Sequence, residues 1–523
     1  MQTGNVEPDV NLWNFFTEAK IGLTSDGSVQ VDLGSILNSL IGYLGSENGS
    51  SGSAIVAGAG SQWKNGKELY IRNGSLFIEA GGQVSSHLAV LSNSSGSTST
   101  VVVTDLGSNL TTIGNLDVGR LGNGSLTVEA GAKVSSSKSH IGYGTGSTGT
   151  VTVTGIGSNW TISNTLSLGD FGTGTLTVDN GGEVIAGELY ASLSDLRGDG
   201  TITATQGAAL DADLLFDAAH GNQAVLNFGS GGILNVIAAG GSLGVGLKQS
   251  GSLVVAEGVQ VSSNVGALGQ RLGSAGTATV TGTDSKWLNS TTLYVGVDGT
   301  GSLTAAAGGH VSNWFGYLGY NSTSKGVAKI AGANSKWTNG RDLYVGRHGE
   351  GELTITSGGL VRVDRTLVID FDMDGDSFIN MATGGMLALR GDADSSLGEF
   401  LNLIVGTDAI HFWDSALLDW TPLTEATYGA EYTLSYITDG DLMGYTLLTV
   451  GRVGDFDNDG DVDGRDFLAW QRNPDLGELA NWQAAYGPNS SLAANSAAVP
   501  EPSTHLLTLL AASFALAVAR NRR

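Results

Sequence analysis

The chain has 523 residues, with 81 Gly, 6 Pro and no Cys, and it carries a net charge of −25 although only 14% of its residues are charged. The lack of cysteine excludes a disulfide framework and thiol catalysis, and the acidic balance disfavours nucleic acid and anionic membrane surfaces while attracting cations. With 41% hydrophobic residues the chain is too apolar for a disordered tail, and its glycine has no collagen period.

Met1 to Lys20 shows no basic start followed by an apolar core, so it does not read as a signal peptide. Trp13 already lies 50 residues before Trp63, which places the start of the chain inside a repeat. The expectation is a truncated or misassigned start, with a signal peptide and further repeats upstream.

The 50-residue period dominates residues 13–363. Gly124-Ser125-Leu126 and Gly174-Thr175-Leu176 are 50 apart, as are Gly251-Ser252-Leu253, Gly301-Ser302-Leu303 and Gly351-Glu352-Leu353. Trp287 and Trp337 keep the same period, and Trp160 sits 50 after Leu110. A fixed period of this length signals a solenoid or an array. Within a unit, apolar residues alternate in short runs separated by Gly, Asn, Ser and Asp, which reads as short strands joined by tight turns. The unit is internally doubled: Tyr294-Val295-Gly296 recurs as Tyr317-Leu318-Gly319 after 23 residues and as Tyr344-Val345-Gly346 after 27. Each half is one coil, so the predicted fold is all-β, a right-handed parallel β-helix of 50-residue double-coil repeats. About 14 coils at about 4.8 Å each give a rod of about 65 Å. A β-propeller also has periods near this length, but the 23/27 doubling and very short strands favour the solenoid. The pattern is weakest over 187–250, where one coil is lost or remodelled.

Gly157-Ser158-Asn159-Trp160-Thr161, Leu166-Ser167-Leu168-Gly169, Gly174-Thr175-Leu176-Thr177-Val178 and Gly181-Gly182-Glu183-Val184 resemble the strand-loop-strand repeats of bacterial surface and autotransporter-like proteins. The likeness covers about two-thirds of the chain and bears on fold more than on function.

Residues 364–450 read as a distinct β-rich end module, with strands at Leu367-Val368-Ile369 and Tyr432-Thr433-Leu434 and a short helix near Leu397 to Leu403 that covers the open end of the rod. Asp370, Asp372, Asp374 and Asp376 form an acidic run whose twelfth position is Met381, so an exposed turn is the default there. Residues 451–488 hold the stronger acidic motif. Asp455, Asp457, Asp459, Asp463 and Asp466 take positions 1, 3, 5, 9 and 12 of an EF-type loop, with Gly460 at the sixth position and Asp461 offering its backbone carbonyl. This spacing wraps oxygen around a hard cation, and one Ca2+ is expected. Asp at position 12, followed by Phe467-Leu468-Ala469-Trp470, resembles one half of a dockerin. Leu479, Trp482 and Tyr486 suit a second helix, but no second acidic loop accompanies them, which puts cohesin binding in doubt.

After a linker over 489–498, Val499-Pro500-Glu501-Pro502-Ser503-Thr504 precedes an apolar run from Leu506 to Ala519 and then Arg520-Asn521-Arg522-Arg523. As a helix the run spans about 21 Å, short of a bilayer core, with the arginines holding its end on the cytoplasmic side. Residues 499–523 resemble the PEP-CTERM sorting signal of Gram-negative bacteria. The resemblance implies that an exosortase-type transpeptidase recognises Pro500, Glu501 and Pro502, with transient membrane insertion of the helix, and that the segment is then removed or exchanged.

Catalytic solenoids need acids and bases clustered on adjacent coils. Here the repeat acids read as scattered turn residues, such as Asp117, Asp170 and Asp298, and the seven His as isolated, with His310 and His348 in turn-like stretches. No enzyme is predicted. Trp63, Trp160, Trp287 and Trp337 either pack at coil corners or, if exposed, stack on the sugars of an extracellular polysaccharide. Thr150-Val151-Thr152-Val153-Thr154 could order water as ice-binding solenoids do, but the matching positions, read as Val101, Val103, Thr277 and Thr279, do not keep the array. The sequence thus reads as an exported, non-enzymatic surface or matrix protein, with glycan binding and then polysaccharide cleavage as the alternatives.

Overall fold

A computed structural model describes residues 1–486 except 47–48, 374–375, 394, 407–408, 415–416, 452–453, 457–461, 473–478, 480–481 and 484–485. The first of its two units, residues 1–453, is a parallel β-solenoid of about 15 turns. At about 4.8 Å per rung the stack is about 70 Å long.

Each turn has three short strands. In one turn they are Gly74–Glu79, Gln83–Ser86 and Leu88–Leu91; in the next, Thr98–Val103, Asn109–Thr112 and Asn115–Val118. Corresponding strands pair in parallel, Leu76 with Val101, Val84 with Leu110 and Leu91 with Val118. Strand alternation sends Leu76 and Ile78 inward and Ser75 and Phe77 outward. Neighbouring turns bury each other's apolar residues in one continuous core.

The turn after the first strand explains much of the glycine. Ala80 and Gly81 both have positive φ, 51° and 90°, as do Ala130 and Gly131, Ala307 and Gly308, and Ser357 and Gly358. Two successive left-handed residues reverse the chain tightly, and glycine takes that conformation without strain. The predicted doubling is also seen in the register, where Tyr294 pairs with Tyr317 and Tyr317 with Tyr344.

The three strand positions build three faces. Faces two and three merge into one 30-stranded sheet, because strands such as Asn159–Leu168, Glu183–Ser192 and Lys286–Val295 run through the bend between them. Face one is split into two nine-stranded sheets. The first ends at Leu196–Arg197 and the second begins at Asp213–Phe216, which pairs with Ser250–Val255. The weak pattern over 187–250 corresponds to this break and to an antiparallel hairpin of Gln223–Phe228 with Gly232–Ile237. Lys248 spans the break, donating to the Leu168 carbonyl at 2.7 Å and to Asp195 at 3.1 Å.

The expected boundary at residue 363 is not a break in the ladders. Glu350–Thr356 pairs in parallel with Phe378–Met381, and that strand with Ile410–Asp414; Leu360–Val363 pairs in parallel with Gly385–Arg390. The alternation of Phe378–Met381 is too short to separate from a module strand by sequence alone. At this end, antiparallel pairing appears beyond these rungs, where Tyr445–Val450 joins Gly385–Arg390 and Tyr432–Ile437. Helix α1, Leu397–Leu401, buries Phe400 and Leu401 against this end of the core. At the other end, Gln2–Gly4 and Val6–Glu7 pair antiparallel with the first turn.

The second unit contains helix α2, Gly464–Arg472. Phe467 packs on Trp482 at 4.9 Å between ring centroids, and Trp482 on Tyr486 at 4.7 Å. Among the described residues no helix is long and apolar enough to cross a membrane. The linker and the whole sorting segment, including Pro500, Glu501, Pro502 and the apolar run 506–519, lie outside the described residues.

Candidate functional site

The tryptophan row does not form a sugar platform. Trp63, Trp160, Trp287 and Trp337 are at most 1% exposed. They occupy inward positions on face two, each paired with an inward Val, Leu or Ile on neighbouring turns, as Trp337 is with Val311 and Val361. Each indole N–H donates to a buried polar side chain: to Ser39 at 3.1 Å, Ser136 at 3.3 Å, Ser263 at 3.0 Å and Asn313 at 2.7 Å. For Trp63, Trp287 and Trp337 the ring fits because the preceding turn leaves space, whereas Trp160 has Ser139 at the matching position. A Cβ on Gly42, Gly266 or Gly316 would lie 2.8, 2.7 or 3.1 Å from Cζ2 of Trp63, Trp287 or Trp337. Each of these glycines stands 21 residues before its tryptophan, a sequence signal that was there to be read.

The outward-facing aromatics include a row of tyrosines on face three. One register line runs the length of the solenoid: Lys20, Tyr43, Tyr70, Val90, Asp117, His140, Ser167, Tyr190, Ala209, Gly244, Ala267, Tyr294, Tyr317, Tyr344 and Val368. Tyr294, Tyr317 and Tyr344 stack in sequence with centroids 5.3 and 5.1 Å apart, and Tyr320 meets the first two edge-on. Arg347 lies over Tyr320 at 4.4 Å. A smaller stack, Tyr43 on Tyr70 at 5.4 Å, carries Arg72 over Tyr43 at 4.9 Å.

Between these stacks the same line holds an acid–base pair. Asp117, read from sequence as a scattered turn acid, is a buried strand residue. Its carboxylate lies 2.8 Å from Nδ1 of His140 on the next turn and 3.2 Å from Arg120. The hydrogen bond to Asp117 holds the His140 pKa above its ordinary value, although burial works the other way. Ser167 occupies the following rung, and no hydrogen bond joins it to His140 among the described residues. Two other histidines also have partners, although His348 is exposed in a turn-like stretch, as expected. His310 is a half-buried strand residue that meets Thr338 at 3.2 Å, its pKa lowered by burial and then by Lys336 and Lys286. His348 pairs with Asp372 at 3.1 Å.

On face one the register corrects the reading of the threonines. Thr150 aligns with Thr100 rather than with a valine, and the outward line Ser28, Ser53, Ser75, Thr100, Ser125, Thr150, Thr175 carries a hydroxyl at every rung. The neighbouring line does lose it, at Val102 and Phe77.

In the acidic loop, Asp455, Asp463 and Asp466 are described, whereas Asp457, Asp459 and Asp461 lie outside the described residues. Asp466 is fully buried, and its two carboxylate oxygens accept from the backbone N–H groups of Phe456 and Asp463, at 2.5 and 2.6 Å. It therefore ties the two ends of the loop together. Trp482 Nε1 donates to the Asp463 carbonyl at 2.7 Å. Among the described residues no three acidic or histidine side chains gather closely enough to hold a metal.

No family model, curated protein or solved structure matches the chain.

Proposed function

We propose that this chain is an exported, non-enzymatic structural or adhesion protein of a Gram-negative bacterium, placed at the cell surface or in the extracellular matrix through its PEP-CTERM-like tail. The observation that carries the reading is the solenoid itself. About 15 turns stack their apolar residues inward and leave three extended faces lined by Ser, Thr, Asn and Tyr. Such an architecture builds contact area by repetition, and its net charge of −25 keeps it soluble outside the cell. Pro500, Glu501 and Pro502 would be read by an exosortase-type transpeptidase while residues 506–519 are held in the inner membrane. The loop from Asp455 to Asp466 would bind one Ca2+ through oxygen donors and stiffen the spacer before the tail.

The test is fractionation of a tagged full-length chain in a host with and without its exosortase. The expected outcome is surface or matrix protein in the first and an inner-membrane precursor in the second. Replacing Pro500 and Pro502 by Ala should give the precursor in both. A chain that stays in the cytoplasm of both hosts would sink the proposal.

A further inference from the structure

The outward line on face three contains a gap. Between Tyr190 and Tyr294 it passes through Ala209, Gly244 and Ala267, three consecutive rungs without a large side chain. The two tyrosines stand four rungs apart, about 19 Å along the axis. The gap is a cleft of about 190 Å³ whose lining includes these five residues and Gln270, beside the apolar Leu243, Val265 and Val297. On one side it is closed by the end of the tyrosine stack: Tyr294 covers one ring face with Tyr317 and has only Ala267 on the rung beyond its other face. At the other end, the Tyr190 hydroxyl donates to Glu188 at 3.2 Å, and burial pushes this phenol up to about 12, so the group stays neutral. Gln270 supplies an independent sign of a ligand. Its amide nitrogen Nε2 is buried and has no hydrogen-bond partner among the described residues. An unmet buried donor of this kind calls for an explanation.

We propose that this trough is a binding subsite for the sugar rings of a neutral pyranose polysaccharide, with Tyr294 as the stacking platform and Gln270 as a hydroxyl-binding amide. A pyranose presents C–H groups on its ring faces and hydroxyls around its edge. That is the complement of an aromatic wall beside an amide and a phenol. An acyl chain would leave the Gln270 amide facing methylenes, its donor still unmet. An anionic polysaccharide would meet a chain of net charge −25. The proposal makes glycan contact a property of the tyrosine line rather than of the buried tryptophans. It does not depend on export, so it can fail while the sorting reading stands, and the reverse.

The experiment is saturation-transfer NMR and calorimetry on the purified full chain with cellohexaose and laminarihexaose as neutral sugar probes, and with oligogalacturonate and octaethylene glycol monododecyl ether as the anionic and the sugar-free alkyl-chain ones. Binding of at least one neutral hexasaccharide is expected, with oligogalacturonate excluded. Ala267→Tyr extends the stack into the trough and fills it, and it should abolish binding. Tyr294→Ala should weaken binding about tenfold, and Gln270→Ala should weaken it less. Tyr344→Ala, at the far end of the stack, should leave it unchanged. Melting curves of each variant establish that the solenoid is intact. No signal from either neutral probe overturns the proposal. So does equal binding by Ala267→Tyr, or an octaethylene glycol monododecyl ether signal that Ala267→Tyr removes while neither hexasaccharide gives one.

Discussion

Gly316 and Trp337 show how single residues fix the repeat. A Cβ at Gly316 would meet Asn339 Oδ1 at 2.4 Å, Leu343 Cδ1 at 2.9 Å and Trp337 Cζ2 at 3.1 Å. Neither the tryptophan nor the asparagine can withdraw, because Trp337 Nε1 and Asn339 Oδ1 are both bound to Asn313, each at 2.7 Å. Gly316→Ala should therefore cost about 1–3 kcal/mol by overpacking, read from chemical denaturation. The chain also contains the relaxed version of this corner, in which Leu110 and Thr112 replace the tryptophan and asparagine, and Ala89 stands where the glycine does. In a Trp337→Leu/Asn339→Thr background, Gly316→Ala should then be close to neutral. Equal costs in both backgrounds would refute the steric account. His140 gives the second residue-scale expectation. Its folded pKa is raised above the ordinary value of 6.5 by Asp117. The pair therefore contributes its full stability below that unfolded value, and the contribution is lost as pH rises through the folded pKa. The melting-temperature gap between wild type and Asp117→Asn should be widest at about pH 5.5 and shrink by about pH 8.5, and the His140 ring resonances of the variant should titrate lower. A gap that widens with pH would reverse the assignment.

Among the elements, the acidic loop and helix α2 form the segment most open to test by a ligand. Asp466 holds the loop ends through the N–H groups of Phe456 and Asp463, and Phe467 sits one position further on, against Trp482. Cation binding at the loop should therefore reach the aromatic cluster. Adding Ca2+ to chelated protein is expected to change the tryptophan emission with one-site saturation. At a hundredfold excess over Kd, it should stabilise the second unit by about 2.7 kcal/mol. Asp463→Asn and Asp455→Asn should each weaken the titration, while magnesium at the same concentration should not reproduce it. A flat titration would leave the loop a solvated turn held by Asp466. The acidic loop stands out in the sequence because its acids fall within twelve consecutive residues. The Asp117–His140 pair does not, because its members lie on different turns and meet only once the register is known. The inward face of the tryptophans was hidden for a related reason. Gln62-Trp63-Lys64-Asn65 is mostly polar, so its alternation does not say which side is the core. Past residue 363 shortened strands and an inserted helix blur the period while the ladders continue.

At the scale of the solenoid, the period was legible but its cause was not. A coil is about 25 residues, as successive face-one partners Gly276, Gly301, Gly326 and Gly351 show. The sequence nevertheless repeats every 50, because tryptophan turns alternate with turns that carry its glycine: Trp287 and Trp337 are separated by Val311, while Gly266 and Gly316 are separated by Leu293. Two coils are thus the smallest unit that restores both the backbone register and the packing. Deleting residues 301–350 removes one such unit. It brings Val361 next to Trp287, in the place Val311 held, and Trp287 keeps Gly266. The shortened chain should fold with an unchanged β-rich spectrum and a melting temperature close to wild type, since each turn draws its stability from its immediate neighbours. Deleting residues 301–325 removes one coil and preserves the face-one register equally well. It also sets Trp337 directly after Trp287 and puts Leu293 where Trp337 needs Gly316. That chain should lose at least about 3 kcal/mol, or unfold around the junction, as measured by denaturation and hydrogen exchange. If the two deletions prove equally stable, backbone register alone sets the repeat and the tryptophan–glycine alternation is incidental to it.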